Sequence, residues 1–204
     1  MGNIFAVIKP IIHGVLKAVG MTSQMVEIEP GTTMHFWVPT ETIHYHNPNN
    51  KLLNKPKPAV VFIHGFVSNG ILTWLFQVLS LRISGADFAI YVPDLLFFGD
   101  SFTDRPERST SFQVMFANRK EKTELLEALV VSDKDATIIP KYSQRIYLLC
   151  GDDDKIFNMA MSDNMKQKLG ENATIEYIKK AGHLVQLERP CSYNHYLKKF
   201  LSYS

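Results

Sequence analysis

Two short apolar runs, "AVVFIHGF" and "DFAIYVPD", constrain this chain more than any other feature. The core of the first, Val60 to Ile63, has no polar alternation and closes on His64-Gly65; the second, Phe88 to Val92, has Asp94 just past its end. Unbroken β-branched and aromatic runs of this length call for cover on both faces, which is the habit of buried parallel strands. Between them a helix is predicted over about Gly70 to Ile83. Strand, helix and strand in series point to a parallel α/β sheet.

The rest of the chain continues the alternation. "ANRKEKTELLEALVV" sets Leu125, Leu126, Leu129 and Val130 on one helical face, and "QRIYLLCGDDDKIF" gives a strand, Ile146 to Cys150, broken by Gly151 and three aspartates. "MAMSDNMKQKLG" reads as a helix stopped by Gly170, "ATIEYIKKAGHLVQLERP" as a strand running into a loop with His183, and "CSYNHYLKKFL" as a closing helix. Upstream, "MVEIEPGTTMHFWVP" reads as an antiparallel hairpin, Met25 to Glu29 and Met34 to Val38, around a Pro-Gly turn. Before it, "IFAVIKPIIHGVLKAVG" spaces its apolar residues as an amphipathic helix. The predicted organisation is an N-terminal helix over residues 1–24 and one domain over residues 25–204. The Asn- and Lys-rich stretch with His44 and His46 reads as a polar loop, since no third metal ligand is near in sequence.

Composition excludes several classes. A chain of 204 residues can bury one core of its own, and a formal charge of +2 gives no electrostatic case for nucleic acid. Cys150 and Cys191 form no CxxC, which favours a reducing compartment and packing roles over a disulfide or zinc site. No metal and no cofactor is expected. The N-terminal helix is interrupted by Lys9, His13 and Lys17, so neither a membrane span nor a secretory signal is expected. Ala6 stands where a myristoylation motif wants Ser or Thr. The expectation is a cytoplasmic protein, with membrane-surface contact through residues 4–19 as the added option. Composition does not fix the oligomeric state.

The acid loop "LLCGDDDKIF" and the histidine loop "AGHLVQLERP" carry the chemistry. Each follows a strand, and a helix lies between them, which would bring one carboxylate and one imidazole together above the C-terminal edge of a sheet. A carboxylate that accepts from one imidazole nitrogen fixes the tautomer and leaves the other free as a base. In this order, "VVFIHGF", "VPDLLFFGDS", "LLCGDDDKIF" and "AGHLVQLERP" resemble the α/β-hydrolase superfamily, in particular its plant esterase and lipase-like members. The resemblance implies a mostly parallel sheet with helices on both faces, Asp154 as triad acid and His183 as triad base. It also implies that the His64-Gly65-Phe66 turn lends a backbone N–H to an oxyanion hole. Asp152 and Asp153 are read as solvated or capping groups, His64 as shaping its turn, and Asp94 as a loop organiser. The implied activity is hydrolysis of carboxylic esters, with a small hydrophobic ester or acid as ligand.

The nucleophile is what the resemblance does not find. The family holds its serine on Gly-x-Ser-x-Gly, a sharp strand-to-helix turn, and this sequence has no such motif. Ser68, Ser101, Ser109 and Ser111 lack that context. In the family's order a nucleophile strand, a further strand and a helical lid fall between the loops carrying Asp94 and Asp154. Here the interval is too short by on the order of a hundred residues, given connections of ordinary length. The expectation is a shortened sheet and an internal deletion near 113–114, inside "STSFQVMFANRK". Such a chain would be an impaired esterase; the alternatives are a non-catalytic ligand- or partner-binding module, or a truncated isoform without settled function.

Overall fold

A computed structural model describes residues 4–43, 57–65, 68–96, 98–104 and 143–202, with side chains from residue 8 onward. The predicted helix over 118–131, the junction near 113–114, Phe66, His44, His46, Ser109 and Ser111 lie outside the described residues. The chain divides into two compact units, Met1–Glu127 and Ala128–Ser204, where the sequence predicted one domain after the N-terminal helix.

In the first unit, helix α1 (Ile4–Ala18) buries Ile12 and Leu16. A turn at Gly20 leads into β1 (Met21–Glu29), so residues 21–24, assigned above to the helical segment, are strand. Arg82 holds this turn: its Nε donates to the Val19 carbonyl at 2.8 Å and its Nη2 to the Gly20 carbonyl at 3.1 Å. Gly20 has φ +75°, and an added Cβ would meet that guanidinium, so both conformation and space require glycine. A hairpin joins β1 to β2 (Thr32–Pro39), longer on both strands than predicted, and a short helix α2 (Thr40–Ile43) follows.

Strand β3 (Ala59–Val61), helix α3 (Gly70–Ile83) and strand β4 (Ala89–Pro93) form the predicted parallel crossover, with β3 beside β4. Asn69 caps α3 by accepting from Leu72 N at 2.9 Å. A short strand β5 (Phe102–Thr103) pairs with β2. The sheet order is β1-β2-β4-β3, and every pairing but β3 with β4 is antiparallel. The expectation of a mostly parallel sheet is therefore corrected for this unit: the hairpin supplies half of its main strands, and a hairpin is antiparallel by construction.

The expectation that Val60 to Ile63 is buried on both faces is also corrected. Phe62 is buried and its ring lies 5.2 Å from Trp74 of α3, but Val61 is 54% and Ile63 is 61% exposed. Successive side chains of an extended chain face opposite ways, and α3 covers the Phe62 side.

In the second unit, β6 (Ile146–Gly151) and β7 (Ala173–Ile178) form a two-stranded parallel sheet. Helix α4 (Met159–Leu169) crosses between them, capped by Asn158 and ended by Gly170 at φ +78°. Tyr177 on β7 donates to Asp163 of α4 at 2.7 Å; burial and that bond push its phenol up to about 12. A short helix α5 (Val185–Glu188) and helix α6 (Pro190–Leu201) close the chain. Ile178, Ala181 and Val185 form the core, with Tyr193 and Tyr196 packed on it, and Tyr147 of β6 stacks on Phe200 of α6 at 4.0 Å. Cys191, expected to pack, is exposed in the first turn of α6. No helix among the described residues is long and apolar enough to cross a membrane.

Candidate functional site

The acid loop begins where β6 ends, and Gly151 sets its course. A Cβ at Gly151 would lie 2.2 Å from the Ala181 carbonyl oxygen and 2.3 Å from that of Gly182, both backbone atoms. Only glycine lets the end of β6 run this close to the histidine loop. Hydrogen bonds then stitch the two loops together. Asp152 N donates to the Ile178 carbonyl at 3.2 Å, and Asp153 N to the Ala181 carbonyl at 3.0 Å. Lys180, in the left-handed region at φ 56°, donates its N–H to Asp152 Oδ1 at 2.7 Å. Asp152 was read from sequence as solvated or capping the next helix; it anchors the histidine loop instead. Asp153 pairs with exposed Lys155.

This framework delivers Asp154 and His183 to one another. His183 Nδ1 donates to Asp154 Oδ2 at 3.0 Å, while Asp154 Oδ1 accepts from Ile156 N at 2.7 Å and Phe157 N at 2.9 Å. The Asp154 side chain is 7% exposed and that of His183 is 36% exposed. Burial alone would raise the Asp154 pKa, but the His183 bond and the two backbone amides outweigh it and hold the carboxyl below its ordinary value. A carboxylate can only accept, so the shared proton sits on Nδ1, which leaves Nε2 as the ring nitrogen that Asp154 does not engage. That nitrogen has no hydrogen bond among the described residues. The Phe157 ring lies 5.3 Å from the imidazole and shields one of its faces.

The first unit holds a second histidine–aspartate pair, and its chemistry is different. His35 Nδ1 donates to Asp94 Oδ2 at 2.8 Å, and both side chains are 3% exposed. His35 Nε2 is hydrogen-bonded to Ser23 Oγ at 2.8 Å, so serine, histidine and aspartate are connected as in a triad. Ser23 nevertheless sits within the β1–β2 ladder opposite Trp37, on no strand-to-helix turn. A cavity of about 260 Å³ is lined by His35 and Asp94 together with Ile12, Trp37 and Ile71, but not by Ser23. The hydroxyl therefore does not face the space a substrate could occupy, and the relay ties strands together.

Asp94 makes the same point. Its Oδ1 accepts from Gly70 N at 2.7 Å, and its Oδ2 accepts from Asp100 N at 3.2 Å as well as from His35. Its carbonyl accepts from Ser101 Oγ at 2.7 Å, and that hydroxyl accepts from His35 N at 2.8 Å. Ser101 is thereby occupied on both sides. Sequence reasoning saw Asp94 but missed His35 and Ser23, which lie on opposite strands and carry no local motif.

His64 is 3% exposed and fully engaged: Nδ1 donates to the Gly65 carbonyl at 2.6 Å and Nε2 accepts from Leu95 N at 3.0 Å. Both ring nitrogens are thereby committed to backbone groups. Gly65 is exposed, and Phe66 lies outside the described residues. Among the described residues no group of three or more metal-ligating side chains stands where it could hold an ion.

No protein-family model matches the chain, and no curated protein matches it. Solved structures do. A membrane phospholipase A described as a bacterial virulence factor aligns with 98% of this chain and 91% of its own, at TM-score 0.63 and 15% identity. The carboxylesterase CesB of Bacillus subtilis aligns over 97% of this chain and 98% of its own, at TM-score 0.57 and 9% identity. A serine hydrolase of Cycloclasticus zankles covers 90% of this chain and 98% of its own, at TM-score 0.60 and 12% identity. At such identities the likeness is one of fold: the chain shares the mixed α/β architecture of esterases, lipases and serine hydrolases.

Proposed function

We propose that this chain is a protein of the carboxylic-ester hydrolase type that keeps the acid–base half of a serine hydrolase and is catalytically impaired for want of an elbow nucleophile. The observation that carries the reading is the Asp154–His183 pair, bonded through Nδ1 at 3.0 Å with Nε2 unengaged at an exposed loop. A general base needs a fixed tautomer, an unengaged acceptor nitrogen and a buried carboxylate behind it, and the Nδ1 bond to the buried Asp154 supports that reading. Asp154 is the acid and His183 the base; the backbone at His64, Gly65 and Phe66 is the proposed oxyanion turn. With no Gly-x-Ser-x-Gly in the sequence, the base lacks the hydroxyl that such a motif presents, and most of the rate acceleration goes with it. Loss of the elbow and lid at the 113–114 junction is part of this proposal. Sequencing the transcript across that junction tests it, and a continuous message from uninterrupted coding DNA would count against skipped exons.

A fluorophosphonate probe tests the impaired state. The expected result is no covalent label; a label on any serine would overturn it. A second reading, a non-catalytic module for a small hydrophobic ester or acid, draws support from the cavity in the first unit. Its about 260 Å³ sits just under the usual range for small-molecule sites, and Ile12, Trp37, Ile71 and Leu72 supply an apolar wall beside Asn69 and Asp100. Saturable binding of a short fluorescent fatty acid without probe labelling would favour this module. Contact with a membrane surface through residues 4–19 is supported by the exposed stripe Ile8, Ile11 and Val15 on α1, and co-sedimentation with anionic vesicles tests it.

A further inference from the structure

We infer that Glu188 is a positioning residue for His183: its carboxylate grips the backbone on both sides of the histidine and fixes where the imidazole stands. This rests on the reading of His183 as the base. Glu188 Oε2 accepts from Gly182 N at 2.7 Å and Oε1 accepts from Leu184 N at 3.0 Å, so the residues before and after His183 are held by the two oxygens of one side chain.

The short helix α5 makes this possible. One helical turn after Leu184 brings the chain back over the loop, and Glu188 reaches the N–H groups that the start of a helix leaves without intrahelical partners. The arrangement resembles the reciprocal half of a capping box, extended two residues upstream to take in Gly182. Gly182 is part of the device. A Cβ there would come to 3.0 Å from both carboxylate oxygens, a tight contact that the Glu188 side chain would have to yield to by a few tenths of an ångström. The neighbouring residue adds a second tether, Arg189 Nε donating to the Lys180 carbonyl at 2.9 Å.

A cap that served only α5 would need Leu184 N alone. The bond to Gly182 N lies upstream of His183 and does nothing for the helix, but it closes a ring of contacts around the histidine. His183 is exposed, so hydrogen bonds to the backbone on either side of it are a direct means of fixing its place. The Nδ1 contact to Asp154 is 3.0 Å, an ordinary N–H···O length, and a drift of about half an ångström would end it.

The test reads the imidazole itself and needs no activity. In the full chain, a slowly exchanging His183 Nδ1 proton should give a resolved downfield resonance, with ring nitrogen shifts marking Nδ1 as protonated. Glu188→Ala should lose that resonance while the melting temperature and the amide spectrum of α6 stay as in the parent. Glu188→Gln, which keeps one acceptor oxygen, should retain the resonance with faster exchange. A Glu188→Ala variant that keeps the resonance unchanged would overturn the inference. Should that variant fail to fold, the parent decides: the amide protons of Gly182 and Leu184 should shift together as Glu188 is protonated, and two insensitive amides would overturn it equally. A parent with the resonance present but no base-dependent chemistry would remove the role of His183 as base and leave the clamp standing.

Discussion

The two units each hold a histidine bonded through Nδ1 to an aspartate, at 2.8 Å for His35–Asp94 and 3.0 Å for His183–Asp154, and they are built for different ends. In the first, both imidazole nitrogens are engaged, the ring is buried, and the carboxylate gathers backbone donors from α3 and from the loop after β4. In the second, the carboxylate is equally well satisfied, yet the imidazole stands at the surface with one nitrogen free. A histidine–aspartate contact is thus no signature of catalysis. What separates the two is the second nitrogen: spent on Ser23 it makes a strut, left unengaged it is open to the proposed role of a base.

The comparison can be broken most directly at the strut. Asp94→Ala strips a buried carboxylate from three donors, and the expected cost is about 3–5 kcal/mol to the first unit. Both tryptophans of the chain, Trp37 and Trp74, lie in that unit, so denaturation followed by tryptophan fluorescence reads it separately. A loss below about 1 kcal/mol would mean that the Asp94 network is not what holds β2, β4 and α3 together.

Gly151→Ala is the next largest effect. The added methyl meets two carbonyl oxygens that cannot move without their loop, so about 1–3 kcal/mol should be lost from the second unit, with the Asp154–His183 bond. Hydrogen exchange at the β6 and β7 amides measures the first, and the His183 Nδ1 proton the second. Retention of both would show that the loops approach less closely than the structure has them.

The pH dependence is a smaller effect with a definite sign. Asp154 in the folded protein is held below its ordinary value, so its contribution to stability is fully present above the unfolded pKa and is lost as pH falls through the lowered folded value. Asp154→Asn should therefore flatten the acid limb of the second unit's stability curve. Asp100 and Glu41 shift the same way in the first unit. For Asp100 the Lys9 bond leads; for Glu41 burial would raise the value, and the Arg82 bond with further contacts overcomes it. The tryptophan-detected acid limb should thus be unchanged in Asp154→Asn, and a change there would show coupling that the comparison does not include.

The smallest stability change belongs to the residue with the largest proposed role. His183→Ala takes one of three donors from the buried Asp154 carboxylate and should cost about 1 kcal/mol, less than the strut or Gly151 substitutions, while eliminating any residual ester hydrolysis that depends on a base. Hydrolysis of a p-nitrophenyl ester that persists unchanged in this variant would separate the pair from the chemistry. His35→Ala should show the converse, a stability loss read by tryptophan fluorescence with no direct effect on base-dependent turnover per folded molecule.

Much of this was open to sequence reading. The strand–helix–strand alternation is carried by neighbours a few residues apart: the crossover and the helix stopped at Gly170 appear where periodicity and caps put them, the hairpin appears with longer strands, and the closing helix begins one residue earlier, at Pro190. The acid and histidine loops were legible for the same reason: each is a strand end with a glycine beside a titratable group. The sequence by itself therefore determined the elements and the residues able to pair. Tertiary structure alone decided which strands lie at an edge, that the chain forms two units, and that Asp152 and Glu188 hold the histidine loop while His35 and Ser23 lock Asp94. Those outcomes depend on which segments meet in space. A carboxylate's partners are fixed by where loops close and which amides remain unpaired, and no local pattern records that.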